Sequence, residues 1–547
     1  MAARRAAPDR RRRVRFVLAG THGAHESWHD VDDAPDVMSQ PSSPAPSPPT
    51  PPPAATREIA SLPGPRGWPL IGSLHRWDAS RAHLILEQWA REHGPIYRFR
   101  LGPQPLVVIS EADAMMAVLR ERPHDFRRHF AVRPIFREMG IDGLFSAEGD
   151  DWRRQRPLVM RALDPAHLRR FFPTIATATE RLHARWLAAA TAGAPVDLRD
   201  DLTRYTVDVT CSLAFGTDVA TLARDDADPL QPHLDRIFAG IARRINSLWP
   251  TWRWVRTRAD RDIERSLATA GRAVQGFIAT QRAEMARRPE LRSAPQNLLQ
   301  ALLSANEDAK LSDEELRGNV LTLLLAGEDT TANTIAWALH LLSLHPEVRR
   351  AARTEAIEAL TAEREGGPRP VALRDFESTR GLPLIEGIVL EALRLKPVAP
   401  LNMFTAIRET TLMGTRIPPR TLVCILKRPP ATDPRHFASP DAFRPQRWLA
   451  GEAAASGAGS QSAPSSVGGG GRRAFMPFGG GPRFCPGRYL ALLEAKMVLA
   501  TTLASFELEP TGEPVGETMG MTMQPRGLKV LLRLPKPHTK RERSGLA

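Results

Sequence analysis

The chain has 547 residues, 42% apolar, 6% aromatic and 25% charged, with 49 prolines and three cysteines. These proportions exclude collagen-like, coiled-coil and disulfide-scaffold architectures and allow a large core. Lys and Arg outnumber Asp and Glu by 75 to 61, and the resulting +14 favours acidic partners or anionic ligands; because the excess is spread along the chain, a nucleic-acid reader is disfavoured.

Residues 1–58 carry Arg10–Arg13, an acidic patch from Asp30 to Asp36, and 8 prolines among the 13 residues from Pro41 to Pro53. Such a composition buries too little apolar surface to offset chain entropy, so a disordered Arg/Pro-rich tail is expected. Inside it His25-Glu26-Ser27-Trp28-His29 matches the zinc motif H-E-x-x-H, but no helical periodicity surrounds it to hold ligand geometry, and the match is rejected. Translation is expected to begin at Met38, since nothing upstream contributes to a fold. A single folded domain is expected over residues 59–537, followed by a basic tail at 538–547.

The punctuated segment from Leu62 to Gly72 leads into a predicted helix, Ala82–His93, closed by Gly94-Pro95. Two short apolar or β-branched runs, Ile96–Leu101 and Leu106–Ser110, flank Gly102-Pro103 and predict a hairpin. Helical patterns then dominate, including Ala114–Glu121, Trp152–Arg161, Pro173–Ala192, Arg204–Phe215 and Leu267–Arg288, so the fold class is mainly α with a minor β-sheet. Ser312 and Glu315 form a capping box, and the pattern they open persists from Asp313 to Leu344 before His345-Pro346 stops it. A helix of 32 residues is roughly 48 Å long, so it must cross the core. Its centre, Ala326-Gly327-Glu328-Asp329-Thr330-Thr331, holds residues that propensity alone would keep out of a buried helix, which marks a functional position. Leu384–Leu395 is a second helix with Glu391 and Arg394 on one face, Arg420–Leu426 and Leu528–Leu534 are strand-like, and 450–471 is a glycine-rich surface loop.

Cys211, Cys424 and Cys485 are odd in number and scattered, so neither a disulfide framework nor a structural zinc site is written, and a reducing, cytoplasmic compartment is expected. The nearest apolar runs, Val14–Gly20 and Val320–Ala326, fall far short of the roughly eighteen residues that span a bilayer, so a soluble protein without a transmembrane anchor is expected. One cysteine stands apart. Phe478-Gly479-Gly480-Gly481-Pro482-Arg483-Phe484-Cys485-Pro486-Gly487 precedes a helix-forming run, Arg488–Leu503; the glycines let backbone amides approach the sulfur, and a helix N-terminus stabilises a thiolate. With no second cysteine for redox exchange and no histidine placed as a base, single-thiolate metal ligation remains, beside the plainer reading of a small buried residue in a glycine turn.

The ordered set of motifs resembles the cytochrome P450s, haem-thiolate monooxygenases, from about Leu62 to Leu534. Phe478–Gly487 is similar to the family's haem-binding loop, Glu391-x-x-Arg394 to its E-x-x-R pair, Ala326–Thr331 to its dioxygen-side helix, Phe443–Trp448 to its P-E-R-F region, and Trp152–Arg156 to its W-x-x-x-R segment. The resemblance implies that Cys485 is the axial ligand of haem b with Phe478 beside the sulfur, and that Arg483, Trp152 and Arg156 hold propionates. It implies that Glu391, Arg394 and Arg447 form a buried ionic triad. Ala326 and Gly327 would shape the space for haem and dioxygen, and Asp329 with Thr330 would relay protons to it, against the plainer reading of Thr330 bonding back to a carbonyl one turn earlier. Two departures stand out: Gln446 replaces the family's usual Glu, and no propionate-binding Arg lies near Phe404, for which Arg408 is a doubtful substitute.

Substrate would lie against Phe130–Phe145, Val398–Leu401 and Met521–Met523, largely apolar segments that imply a hydrophobic small molecule. With no flavin or nicotinamide motif in the chain, electrons from NAD(P)H are expected through a separate acidic ferredoxin or flavodoxin, drawn to Arg472, Arg473, Arg488 and Lys496. A peroxide-using peroxygenase or rearrangement enzyme and a non-catalytic haem sensor are the alternatives.

Overall fold

The capping box at Ser312 is formed: its hydroxyl accepts the Glu315 N–H at 3.1 Å, and Glu315 Oε2 accepts the Ser312 N–H at 2.9 Å. The helix it starts runs Asp313–Leu344 and ends where Pro346 opens the next, Pro346–Ala362. The computed structural model describes residues 56–223, 231–245, 247, 249–309, 311–363, 370–449 and 473–535. The His25–His29 motif, Met38, the Pro-rich run, the glycine-rich 450–471 segment, Arg472 and the 538–547 tail therefore lie outside the described residues.

The central helix packs along Leu198–Phe215, and both belong to the largest apolar core together with Pro165–Ala192, Arg258–Arg287, Pro383–Leu395 and Arg488–Ser505. Two of its glycines serve contacts that a side chain would block. A Cβ on Gly318 would lie 2.1 Å from the Asp142 carbonyl oxygen, so here the loop after Val132–Glu138 rests backbone to backbone on the helix. A Cβ on Gly327 would lie 3.0 Å from the Thr210 hydroxyl oxygen. Gly327 thus closes the contact with Leu198–Phe215.

The main sheet has five strands in the order Ile96–Leu101, Gln104–Ile109, Leu422–Leu426, Leu401–Ala406, Phe126–Arg128, with only the second and third parallel. Side chains alternate between two buried faces. Tyr97, Phe99, Val108 and Cys424 pack with Leu86 and Trp89 of the helix Ala82–His93, whereas Ile96, Val107, Ile109 and Ile425 pack with Met115 and Val118 of Ala112–Arg120. Covering on both sides explains why these strands read as continuous apolar runs.

Predicted and observed elements differ in two instructive places. Pro173 was expected to start a helix, yet it lies inside Pro165–Ala192, where Leu168, Phe171, Phe172 and Ile175 bury on one side and outweigh the missing N–H bond. Arg57 and Glu58, assigned by composition to the tail, pair with Thr415 and Arg416, so the folded part begins before residue 59.

Candidate active site

Two of the three cysteines are core residues. Cys211 and Cys424 are buried, and burial pushes the Cys424 thiol up to about 12. Cys485 is half-buried at the end of a loop whose closure is a hydrogen bond from its own N–H to the Phe478 carbonyl, 2.8 Å. Gly479 and Gly481 have φ of 75° and 63°, and a Cβ on Gly481 would sit 2.3 Å from the Leu119 carbonyl oxygen. The glycines therefore seat the loop on Ala112–Arg120; the amide that does approach the sulfur is that of Gly487, the residue preceding Arg488–Ser505. Desolvation raises the thiol's pKa, while the Gly487 amide, Arg156, Lys427 and Arg488 oppose it. Burial is the larger effect, so the expectation that the helix terminus makes this sulfur an anion by itself is corrected: a further positive charge is required.

Beside this loop lies a group of buried cations. Arg483 donates to the Ala147 carbonyl at 2.8 Å and to Glu148 at 2.5 Å, and stacks 4.5 Å over the Trp152 ring. Arg156 donates to the Phe484 carbonyl at 2.7 Å and covers that ring at 4.7 Å. Arg128 and Arg122, which sequence reasoning missed, complete the group: the Arg128 N–H donates to Glu148 at 3.0 Å, and Arg122 Nη2 lies 3.8 Å from the same carboxylate. Arg122, Arg128 and Arg483 each retain a buried Nε without a hydrogen-bond partner, as does Arg122 Nη2. Desolvation and mutual repulsion push them down to about 9, 10 and 10. Arg122 and Arg483 share Glu148, whose charge also acts on Arg128, and with Arg156 the four cations outnumber this one carboxylate. Arg128 is paired in register with Phe404, and Arg122 lies 4.8 Å over the Phe404 ring, so two cations flank the strand that lacks an arginine. Arg408 is no substitute; it is exposed and paired with Asp125.

Glu391 and Arg394 are fully buried on Pro383–Leu395. Glu391 accepts two hydrogen bonds from Arg394 at 2.9 and 2.7 Å, one from Arg447 at 3.0 Å, and further ones from the Arg444 N–H at 3.0 Å and the Trp448 indole at 2.9 Å. Arg394 also donates to the carbonyls of Ala431, Pro440 and Ala442. The triad is formed with Gln446 beside it, and Trp448 is a fourth member that the motif did not announce.

On the central helix Ala326 is exposed, and Thr322, Leu323 and Thr330 are partly so, although most of the helix is buried. These positions, spaced three or four apart, form an open strip in mid-core. Thr330 donates to the Ala326 carbonyl at 2.8 Å, the plainer of its two predicted contacts. Asp329 turns elsewhere: its carboxylate lies 3.5 Å from Arg199 and accepts from Thr522 at 3.5 Å, and burial raises its pKa. Two of the three predicted substrate segments bond to this helix, and the third bonds to one of those two. The Leu144 N–H donates to Asn319, Asn333 donates to Thr522, and the Met523 N–H donates to the Val398 carbonyl at 2.8 Å. Of the cations expected around the cysteine, Lys496 is buried against Glu386 and drops out; Arg473 is exposed, Arg488 stacks on Phe484, and exposed Arg120 stands beside Gly481. No helix among the described residues is long and apolar enough to cross a membrane.

A mainly helical fold thus brings one half-buried thiol in a glycine-seated loop beside a buried guanidinium group and a long helix open at its centre. Residues 62–532 match the family described as Cytochrome P450, and the chain belongs to that family. It is 29% identical over 478 residues to the human mitochondrial 25-hydroxyvitamin D-1 alpha hydroxylase, covering 84% of this chain and 88% of the relative. It is likewise 29% identical over 460 residues to cyclooctatin synthase of Streptomyces melanosporofaciens, covering 83% and 92%. The crystal structure of the cytochrome P450DA heme domain superposes with a TM-score of 0.75 at 24% identity, over 88% of this chain and 99% of that one. The protein is a haem-thiolate monooxygenase, an oxidoreductase. Its residues fit the family's cofactor on two counts: unpartnered guanidinium nitrogens suit carboxylates, and a desolvated thiol flanked by cations suits a metal ion.

Removing the Glu391 carboxylate strands a buried guanidinium, so Glu391→Ala is expected to cost about 3–5 kcal/mol. Trp448→Phe, which removes one hydrogen bond to a charged group, is expected to cost about 1.5–3 kcal/mol. Denaturant midpoints of the purified proteins check the order; equal shifts would contradict it.

Proposed function

We propose that this enzyme inserts one oxygen atom from dioxygen into a hydrophobic small molecule, using haem b and two electrons that come ultimately from NAD(P)H through a separate acidic ferredoxin or flavodoxin-type donor in the cytoplasm. The observation that carries this reading is the excess of buried positive charge, Arg122, Arg128, Arg156 and Arg483 against Glu148, beside the half-buried Cys485. Haem, when bound, supplies dioxygen activation and one-electron chemistry.

Cys485 would hold the iron in this reading, with Phe478 beside the sulfur. Arg483, Arg156, Trp152, Arg128 and Arg122 would hold the propionates, the last two in place of the arginine missing beside Phe404. The carboxylates would offset the excess positive charge and satisfy the unpartnered nitrogens. Ala326, exposed on the open strip, would border the cofactor, and its carbonyl orients the Thr330 hydroxyl, whose lone pairs are left to accept from water.

Asp329 would take up and pass on protons in this reading: burial raises its pKa, and Arg199 and Thr522 hold its carboxylate in place. A cleft of about 540 Å³ lined by Asp197, Arg199, Asp200, Thr203 and Gln524 opens on Arg199, the partner of Asp329. It contains neither Cys485 nor Thr330, so it is read as a supply route for protons and not as the substrate chamber. Substrate would rest on the apolar segments joined through Leu144, Val398 and Met523. Arg120, Arg473 and Arg488 would meet the acidic donor, with an encounter rate that falls as salt rises.

Haem-loaded protein, reduced under carbon monoxide, is expected to give the red-shifted Soret band of sulfur-bound ferrous haem, and Cys485→Ser to abolish it. Reductant use and product with a surrogate ferredoxin, set against peroxide alone, check the electron source; turnover on peroxide only would replace this reading with a peroxygenase. Thr330→Ala should keep haem and substrate binding while diverting electrons to peroxide, and unchanged coupling would remove Thr330 from the relay. Replacing Arg128 with Ala should speed haem transfer to apomyoglobin about tenfold, the loss of one charge-assisted bond; an unchanged rate would take Arg128 out of the propionate site.

A further inference from the structure

We infer that Glu517 is a positioning residue for the reaction: its carboxylate locks the hairpin of Gly516–Met519 and Met523–Arg526 so that the tip between them keeps one place against the central helix and Val398. Among the described residues these two strands pair only with each other, and a two-stranded hairpin is marginal by itself. Its place must therefore come from other bonds. At the tip the Met523 N–H donates to the Val398 carbonyl at 2.8 Å, and Thr522 accepts from Asn333 at 3.1 Å and donates to Asp329 at 3.5 Å. At the base stands Glu517. Lys396 donates to it at 2.5 Å, Arg428 Nη1 donates to its two oxygens at 3.0 and 2.9 Å, and His83 Nε2 lies 3.1 Å away. His83 belongs to Ala82–His93, Lys396 directly follows Pro383–Leu395 and Arg428 comes just after Leu422–Leu426, so one carboxylate joins the hairpin to three elements.

The charges make this a clamp and not a ligand site. Arg428 also forks onto Glu87 with bonds of 3.1, 3.0 and 2.7 Å, and Glu87 sits one turn from His83 on the same helix. Two cations, Lys396 and Arg428, thus meet two carboxylates, Glu87 and Glu517, and no charge is left over for a bound ion. Burial acts against the Glu517 charge, but His83, Arg428 and Lys396 outweigh it and hold the carboxyl well below the usual carboxylate range, so the clamp stays charged near neutrality. Lys396 also lies 5.0 Å over the Trp337 ring, and Trp337 is four residues from Asn333 on the central helix. Residues four apart share a helix face, so base and tip of the hairpin are seated on one face of that helix. Strand alternation puts Met519 on the same side as Glu517, and Met519 and Met521 pack partly buried against the main core. Methionine adapts its shape readily, so a tip that carries it presents a definite surface only while the backbone beneath is fixed. The role toward substrate rests on the proposed substrate site; the clamp does not.

The test uses the full haem-loaded chain, with imidazole and 4-phenylimidazole as probes whose binding to ferric haem is read from the Soret shift. In Glu517→Gln, which keeps the shape and removes the charge, amide hydrogen exchange over residues 516–526 is expected to rise about tenfold while that of 313–344 stays unchanged. 4-Phenylimidazole, long enough to reach the tip, should bind about tenfold more weakly, and imidazole, too small to reach it, as well as before. Lys396→Met, which leaves Arg428 and His83 on the carboxylate, should shift both readouts in the same direction by about threefold, and Lys396→Arg should restore them. This second pair decides the matter if Glu517→Gln takes up no haem. Unchanged exchange at 516–526 overturns the inference. So does faster exchange with an unchanged ratio of the two affinities, which would leave Glu517 a purely structural contact. An unsubstituted protein without the red-shifted Soret band under carbon monoxide would overturn the proposed function instead, and the exchange result alone would then decide the clamp.

Discussion

A carboxylate withdrawn from water holds the cysteine side of this protein together. Glu391 joins the helix Pro383–Leu395 to the segment 444–448 through bonds from Arg394, Arg447, Trp448 and the Arg444 N–H. Its partner Arg394 reaches on to the carbonyls of Ala431, Pro440 and Ala442, which otherwise have no ladder or helix to satisfy them. An irregular stretch of chain can be buried here because one ion pair supplies its hydrogen bonds from both sides. A Cβ on Gly387 would come within 2.7 Å of the Pro445 carbonyl oxygen, so helix and segment are as close as backbones allow, and the carboxylate is reached without strain.

The active-site side follows a different electrostatic plan. Where Glu391 is fully matched, Arg122, Arg128 and Arg483 are matched by Glu148 only in part. A folded protein keeps desolvated cations with unpartnered nitrogens only at a cost, and such a cost is retained where a ligand relieves it. The cysteine carries the complementary imbalance: its sulfur is desolvated enough to favour the neutral thiol, yet three cations and an amide favour the anion. Two half-satisfied groups of opposite demand around one space describe a cofactor that is acidic at its edge and cationic at its centre.

The central helix shows how a single element separates functions around its circumference. Ala326 and Thr330 face the open strip, Gly327 faces Thr210, and Asp329 faces Arg199 and Thr522. Successive residues turn by about 100°, so four neighbours can serve a cavity, a helix contact and a buried ion pair without competing. Thr522 ties Asp329 to the Met521–Met523 turn, which Met523 in turn ties to Val398.

What the sequence determined by itself is what neighbouring residues encode. The capping box and proline stop of Asp313–Leu344, the helix Ala82–His93 and the hairpin after it, the E-x-x-R face and the glycine-bracketed Cys485 were all legible, because caps, periodicity and turn chemistry act within a few residues. Tertiary structure decided the rest. Arg122 and Arg128 come to lie beside Phe404, hundreds of residues later, only because Phe126–Arg128 pairs with Leu401–Ala406. Lys496 looked like a surface charge until Glu386 buried it, Trp448 bonds Glu391 only because its segment docks on Gly387, and Pro173 sits inside a helix because one side of that helix is fully packed. Each depends on which distant segments meet, and the free energy that brings them together comes from burial over the whole core and not from any local pattern.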